Sequence, residues 1–153
     1  MEPRTIWRIG EILVQKKLIN WEQLQQTLEE QKISGKFTGD ILIEKGFISR
    51  SLFYKSLAEQ YGLRYVDLAR TRINPKAVEL VARSIAQKFQ IMPIEISANT
   101  LIIGISNPLT VWPQQEVKQL AKIEKIQTVL CTPSDIEEAI KSYYGAESVS
   151  ATN

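Results

Sequence analysis

The first half of the chain contains one segment twice. Residues 8–31, RIGEILVQKKLINWEQLQQTLEEQ, align without a gap with residues 37–60, FTGDILIEKGFISRSLFYKSLAEQ. The aligned copies share Gly, Ile, Leu, Lys, Ile, Leu, Glu and Gln in that order, and both end in glutamine. Because a duplicated segment of this length is one supersecondary unit used twice, the repeat constrains the fold more than any other feature of the sequence.

Helix signals predict that each copy is a helix, a short link and a second helix. In the first copy Asn20 and Gln23 form a capping-box pair, and Gly35 stands where that helix should stop. In the second copy Ser49 is the predicted cap and Gly62 the predicted stop. A shorter helix is predicted before each cap from the apolar spacing of Ile6, Ile9, Ile12 and Leu13, and of Ile41, Leu42 and Ile43.

After Gly62 short strands alternate with helices. LRYVDL is predicted as a short strand or an extended linker, and IQTVLC as a strand. IMPIEIS and LIIGIS are predicted as a hairpin around Ala98 and Asn99. Helices are predicted in NPKAVELVA, in SIAQKFQ, from about residue 113 to 123, and after a Ser134 cap as far as Gly145. The predicted class is therefore α+β, with residues 1–62 as a four-helix unit of two tandem helix-link-helix repeats. This unit is expected to pack on a small α/β subdomain at 63–145, followed by a flexible polar tail at 146–153.

Composition narrows the range of functions. A formal charge of +2 is too small for the phosphate neutralisation that duplex binding requires, so we expect neither DNA nor RNA as a partner. The chain has no histidine, and Cys131 is its single cysteine, so we expect no metal site, no catalytic site and no enzyme activity. No apolar run approaches the roughly 20 residues of a membrane span, and the start has no signal-peptide core. The expected location is the cytoplasm.

The glutamines that close the two copies are candidate binding residues. Each stands on the apolar stripe of its helix, Gln31 in register with Leu24 and Leu28, and Gln60 with Phe53 and Leu57. One interpretation is that each amide bonds a backbone group at a helix end. The other is that each amide, which offers a donor and an acceptor, contacts the edge of a nucleobase.

Glycines and an arginine near the start of the copies suggest a ligand as well. Glycine inside a helix costs up to about 1 kcal/mol relative to alanine, so Gly10 and Gly39 indicate that something approaches the backbone closely. Either a ligand or a neighbouring helix would satisfy that requirement. Arg8 is suited to a phosphate or to guanine O6 and N7, although a solvated surface role is the simpler interpretation of one arginine.

The two copies and their five-residue spacer KISGK resemble the tandem motif of the MshEN domain, the N-terminal domain of type II secretion and type IV pilus assembly ATPases. The resemblance continues through YGLRYVDL, NPKAVELV, IMPIEI, LIIGISNP and SDIEEAIKSYYG, and so covers the chain from about residue 6 to 145. It implies cyclic di-GMP as the ligand, with one guanine per copy, and no other cofactor.

The ligand-binding positions implied by the resemblance fall in both copies and in one later turn. They are Arg8, Ile9, Gly10, Leu13, Leu24, Leu28 and Gln31, then Phe37, Thr38, Gly39, Asp40, Leu42, Phe53, Leu57 and Gln60, and finally Asn107. Phe37 and Thr38 stand where the motif has arginine and leucine, so the second half-site is expected to bind more weakly. Asn107 stands where relatives often have aspartate, and its alternative role is to form the turn before Pro108.

A motor is not expected in this chain, because no phosphate-binding Gly-rich loop ending in Gly-Lys-Ser/Thr is present. The predicted function is a cyclic di-GMP receptor domain, either part of a longer ATPase or free-standing. The alternative is a protein-interaction module with a degenerate pocket that recruits a secretion or pilus component.

Overall fold

The structure is a computed structural model that describes the backbone of residues 2–145 and the side chains of residues 9–145. Within these residues the chain forms eight α-helices, one short 3-10 helix and a four-stranded sheet. The predicted α+β class is confirmed. The chain divides into two compact units, one ending at Tyr61 and one beginning at Gly62. The predicted flexible tail, residues 146–153, lies outside the described residues.

The first unit consists of four helices. They are α1 (Glu2–Gln15), α2 (Trp21–Ser34), α3 (Thr38–Glu44) and α4 (Arg50–Gln60). Contacts run from α1 to α2, from α2 to α3, from α3 to α4 and from α4 back to α1, so the helices form a closed ring. Helices α1 and α2 are both 14 residues long, so the prediction of a shorter first helix was wrong for the first copy. It was right for the second copy, where α3 has 7 residues and α4 has 11.

The predicted caps of α2 and α4 are confirmed. Asn20 Oδ1 accepts a hydrogen bond from the Gln23 N–H at 2.7 Å, and the Asn20 N–H donates to Gln23 Oε1 at 2.9 Å. Gly35 ends α2 in the left-handed conformation with φ of 75°. Ser49 Oγ accepts from the Leu52 N–H at 3.2 Å, and Gly62, with φ of 68°, follows the end of α4. These caps fix where each second helix begins and ends.

The second unit is a mixed sheet with helices. In chain order its elements are β1 (Arg64–Tyr65), the 3-10 helix (Leu68–Arg70), α5 (Pro75–Glu79), α6 (Arg83–Phe89), β2 (Ile91–Ser97), β3 (Thr100–Ile105), α7 (Gln114–Ala121), β4 (Lys125–Leu130) and α8 (Pro133–Tyr144). The strand order is β1-β4-β3-β2. Strands β2 and β3 are antiparallel, whereas β4 is parallel to both β3 and β1.

The hairpin between β2 and β3 is confirmed. Ala98 and Asn99 both have positive φ, at 49° and 63°, which is the backbone of a two-residue hairpin turn whose twist matches the strands. After β3 the chain passes through α7 and re-enters the sheet as β4. This crossover makes β3 and β4 parallel. The sheet therefore combines one local pairing with one crossover.

The start of α8 differs from the prediction. Thr132, not Ser134, is its cap, and the Thr132 hydroxyl accepts from the Asp135 N–H at 3.3 Å. Pro133 occupies the first helical position, where a missing N–H costs nothing and the fixed φ suits a helix.

The core of the second unit lies between one face of the sheet and its helices. Met92 and Ile94 of β2 and Val129 of β4 pack there with Cys131, which follows β4, with Ile136 of α8 and with other buried residues. Burial raises the pKa of the Cys131 thiol to about 12, which makes it an unreactive core residue.

The end of α8 is held to the chain near α5. The Tyr144 hydroxyl donates to the Val81 carbonyl oxygen at 2.8 Å and lies 3.1 Å from the Val78 carbonyl oxygen. Burial raises the pKa of this hydroxyl further above neutral, and the tyrosine is a donor at neutral pH in either case.

Candidate functional site

The two copies hold equivalent positions in the ring of helices. Exchanging α1 with α3 and α2 with α4 leaves the set of helix contacts unchanged. The links agree as well, because the Lys17 N–H donates to Val14 O at 2.9 Å and the Gly46 N–H donates to Ile43 O at 3.0 Å. The first unit is therefore two-fold symmetric in its contacts.

Two ion pairs cross between the copies at equivalent places. Lys16 Nζ bonds the Glu59 carboxylate, and Lys45 Nζ lies 3.0 Å from Glu30 Oε1. Each lysine belongs to one copy and its glutamate to the other, one residue before the closing glutamine. These partly exposed pairs contribute at most about 1 kcal/mol each. Their importance is positional, because they hold the ends of α2 and α4 against the opposite copy.

The glycines are explained by packing of the two helices within each copy. A Cβ on Gly10 would lie 2.7 Å from Leu24 Cδ1, and a Cβ on Gly39 would lie 2.5 Å from Phe53 Cζ. Leu24 and Phe53 occupy the same position in the two copies. Of the two predicted reasons for glycine, a neighbouring helix is the one that the structure supports.

Most large apolar residues of the motif are core residues. Ile9, Leu13, Leu24, Leu42 and Phe53 are buried, so they hold the helices together and present almost no surface. Leu28 and Leu57 are half-buried. Besides the exposed Phe37, the apolar motif positions with surface left for a ligand are therefore Leu28 and Leu57, the later ones on α2 and α4.

The closing glutamines are both half-buried. Gln60 Oε1 is inaccessible to solvent and has no hydrogen-bond partner, which does not fit the interpretation that its carbonyl accepts from a helix end. A buried carbonyl without a donor costs about 1–3 kcal/mol. A ligand N–H at this position would remove that cost.

The start of α3 presents three different environments. Phe37 is 74% exposed, whereas Thr38 is buried and its Oγ1 has no hydrogen-bond partner. Asp40 is exposed and faces Tyr54 of α4. Burial, together with the Asp40 charge, raises the pKa of Tyr54 to about 12. The second copy thus offers an exposed ring beside a buried hydroxyl.

Two candidate positions remain, one in the second unit and one whose side chain lies outside the described residues. Asn107 lies in the second unit, after β3, where its Oδ1 accepts from the Leu109 N–H at 2.9 Å. This bond is the turn-forming role that the sequence allowed. The side chain of Arg8 lies outside the described residues, and its contact with a ligand stays a prediction.

The described residues show no sign of a metal site or a membrane span. Residues 2–145 contain no group of three or more metal-ligating side chains. None of the helices described has both the length and the apolar content to cross a membrane. An open hollow of about 440 Å³ lies at the first link and is lined by Val14, Lys17, Leu18, Ile19, Asn20, Trp21 and Gln23. It does not include either closing glutamine.

The four residues that form the ion pairs between the copies were not singled out from the sequence. Lys16 and Lys45 are equivalent, as are Glu30 and Glu59, and both types are among the identities that the copies share. The identity of these charged residues in the two copies was the sequence signal that could have pointed to them. Its pairing across the copies depends on how the helices are arranged in space.

Comparison with known proteins gives a family match. The MshEN domain family matches residues 61–150. The type IV pilus assembly ATPase PilB of Myxococcus xanthus is 31% identical over 137 residues, or 90% of this chain, which spans 24% of the length of PilB.

Two solved structures are similar over most of the chain. The structure of MshE with cdg has a TM-score of 0.75 at 29% identity, covering 89% of this chain and 98% of that one. The N-terminal domain of XpsE has a TM-score of 0.63 at 19% identity, covering 92% and 96%, and supports the fold alone. The family match covers the second unit, and the PilB and MshE similarities extend over most of both units.

Proposed function

The chain belongs to the MshEN domain family, and on that premise we propose that its helical unit is a receptor for cyclic di-GMP. The ligand binds between the two copies of the repeat, with one guanine recognised by each copy. The chain acts by binding and performs no chemistry of its own. This function places it in the cytoplasm, where a nucleotide signal is available to it.

The observation that carries the proposal is the two-fold contact pattern of the first unit. Helix contacts, link hydrogen bonds and cross-copy ion pairs all recur when one copy is exchanged for the other. Cyclic di-GMP consists of two identical nucleotides closed in a ring. A two-fold protein surface can therefore make the same contacts to both halves of one ligand molecule.

The chemistry of the closing glutamines supports guanine in particular. Gln60 Oε1 is an acceptor without a donor, and guanine presents N–H groups along its base-pairing edge. Gln31 stands at the same position in the first copy and is also half-buried. Each amide would accept from a base and offer its own NH₂ in return. The half-buried Leu28 and Leu57 would then contact the faces of the bases.

Similarity to named proteins supports both the ligand and the setting. MshE was solved with cdg, which is cyclic di-GMP, and resembles this chain over 89% of its length. The resemblance to PilB suggests that the receptor regulates a secretion or pilus ATPase, with the motor in other sequence. Ligand bound between the copies would link α2 to α4 and fix the ring of helices, which changes the surface offered to the motor.

Alanine substitution of the glutamines tests the proposal. We expect Gln31→Ala and Gln60→Ala each to weaken cyclic di-GMP binding about three- to tenfold, the usual range for one lost hydrogen bond. Gln26→Ala, on the exposed side of α2, is the matched control and should bind as the parent does. Calorimetric titration gives the affinities, and thermal unfolding gives the stabilities. Unaltered affinity with a large fall in melting temperature would show that the glutamines are structural.

One observation favours the alternative function, a protein-interaction module that recruits a secretion or pilus component. In the second unit Leu109, Val111 and Leu120 are large apolar residues with high exposure, and Val111 is 86% exposed. Exposed apolar residues mark a protein contact where they form a contiguous patch. Absence of any cyclic di-GMP binding would favour this module.

A further inference from the structure

The lysines of the two cross-copy ion pairs are anchored in the same way. The Lys16 N–H donates to Ile12 O at 2.9 Å and the Lys45 N–H donates to Ile41 O at 2.9 Å, so each lysine continues the first helix of its own copy. From there each side chain reaches the second helix of the other copy. In the aligned sequences of the two copies these lysines are the only cations at matching positions.

The second helices of the two copies end differently. Helix α2 continues past Gln31 to Ser34, has Lys32 in its last turn and is stopped by Gly35, whose N–H donates to Gln31 O at 2.9 Å. Helix α4 ends at Gln60 itself and has no basic residue in its last turn. Gln31 is therefore held inside a helix that continues beyond it, whereas Gln60 is the last residue of a helix without a cation of its own.

Lys16 supplies the cation that α4 lacks. Carbonyl groups without intrahelical partners give a helix C-terminus a partial negative charge, which a nearby cation stabilises. Lys16 Nζ bonds the carboxylate of Glu59, one residue before Gln60, and so lies at the C-terminus of α4. Helix ends fray, so this pair restrains the residue that is most exposed to fraying. Lys45 instead meets Glu30 one turn before the end of α2.

We propose that Lys16 is a positioning residue for the second half-site, an inference that rests on the proposed cyclic di-GMP binding. Through Glu59, Lys16 holds the last turn of α4 in place, so that Gln60 is oriented before the ligand binds. Lys16 belongs to the first copy, so the second half-site depends on the first. Lys45 makes the equivalent ion pair but is not required for Gln31, because α2 fixes that residue by itself.

Lys16→Met tests the inference, because methionine keeps an unbranched apolar stem and removes the charge. We expect cyclic di-GMP affinity to fall about two- to fivefold, the range for one partly exposed ion pair. Lys16→Arg keeps the charge and should recover most of the affinity. High salt screens the ion pair, so it should bring the parent and Lys16→Met closer together in affinity.

Lys45→Met is the matched control. It removes the equivalent ion pair and should lower the melting temperature about as much as Lys16→Met does. Its cyclic di-GMP affinity should nevertheless stay within about twofold of the parent value, because Gln31 is held by its own helix. Similar losses of stability with unequal losses of affinity separate the positioning of Gln60 from a general contribution to the fold.

A double-mutant cycle shows whether Lys16 acts through Gln60. In a Gln60→Ala background, Lys16→Met should cause no further loss of cyclic di-GMP affinity, because the residue that it positions is gone. In a Gln31→Ala background, the same substitution should still cause the full loss of about two- to fivefold. Calorimetric titration measures each affinity, and thermal unfolding measures each melting temperature.

The outcomes separate the positioning role from the receptor function. A parent chain that binds cyclic di-GMP while Lys16→Met binds equally well overturns the positioning role and leaves the receptor function standing. Equal losses of affinity for Lys16→Met and Lys45→Met overturn it as well, and so does an undiminished loss in the Gln60→Ala background. A parent chain that binds no cyclic di-GMP overturns the receptor function and the positioning role together.

Discussion

Lys17 adopts a left-handed backbone conformation, with φ of 61°, at the position where the second copy has Gly46 with φ of 75°. A side chain in this conformation costs roughly 1 kcal/mol, whereas glycine adopts it freely. We expect Lys17→Gly to raise the free energy of unfolding by about 0.5–1 kcal/mol. Urea denaturation followed by circular dichroism measures the change.

Gly46→Ala is the control for the same conformation and should lower the free energy of unfolding by about 1 kcal/mol. A lower urea midpoint for Lys17→Gly would show that the lysine side chain makes a contact worth more than the strain. The comparison is sharp because neither position has a role in the proposed ligand contacts.

The roles of residues that hydrogen-bond backbone groups close in sequence were predictable. The roles of residues that depend on tertiary packing were not. Asn20 and Ser49 cap their helices as predicted, because the capping bond spans three residues of sequence. Thr132 was missed in favour of Ser134, although Pro133 at the first helical position pointed to it. The unpaired oxygen of Gln60 depends on which side chains cover it, and sequence periodicity carries no such information.

At the scale of elements, the glycines of α1 and α3 set how closely the paired helices approach. Alanine at either position gains up to about 1 kcal/mol of helix propensity but introduces an overlap that costs about 1–3 kcal/mol. Gly39→Ala meets the rigid ring of Phe53 at 2.5 Å, whereas Gly10→Ala meets the flexible end of Leu24 at 2.7 Å. We expect a net loss of about 1–2 kcal/mol for Gly39→Ala and a smaller loss for Gly10→Ala, measured by urea denaturation.

A second substitution distinguishes helix packing from ligand approach. Phe53→Leu makes the second copy like the first, and adding it to Gly39→Ala should recover part of the lost stability. The coupling between the two changes, measured in a double-mutant cycle, is expected to be about 0.5–1.5 kcal/mol. Two independent, additive effects would contradict the packing explanation.

The elements themselves were largely predicted, and their arrangement was only partly predicted. The α2 and α4 helices and the β2–β3 hairpin follow from caps, stops and turn residues that are local in sequence. The order β1-β4-β3-β2 was not predicted, because β1 pairs with β4 across more than half of the second unit. The Lys45–Glu30 and Lys16–Glu59 pairs were missed for the same reason, since each joins different copies.

At the scale of the whole molecule, the observations that support the family and those that support the ligand come from different units. The family match falls on the second unit, residues 61–150, whereas the repeat and its glutamines lie before it. The proposed receptor function therefore depends on the first unit, where this chain departs from the motif at Phe37 and Thr38. Apart from Asn107, the predicted ligand positions lie before the matched region.

The measurement that tests the central claim most directly is calorimetric titration of the 153-residue chain with cyclic di-GMP, beside cyclic di-AMP and GTP. Two equivalent copies that share one ring-shaped ligand predict saturable heat at one cyclic di-GMP per chain, with weaker or no binding of the other two nucleotides. Saturation at two molecules per chain would contradict a shared ligand. No heat at any concentration, together with no rise in melting temperature, would contradict the receptor function itself.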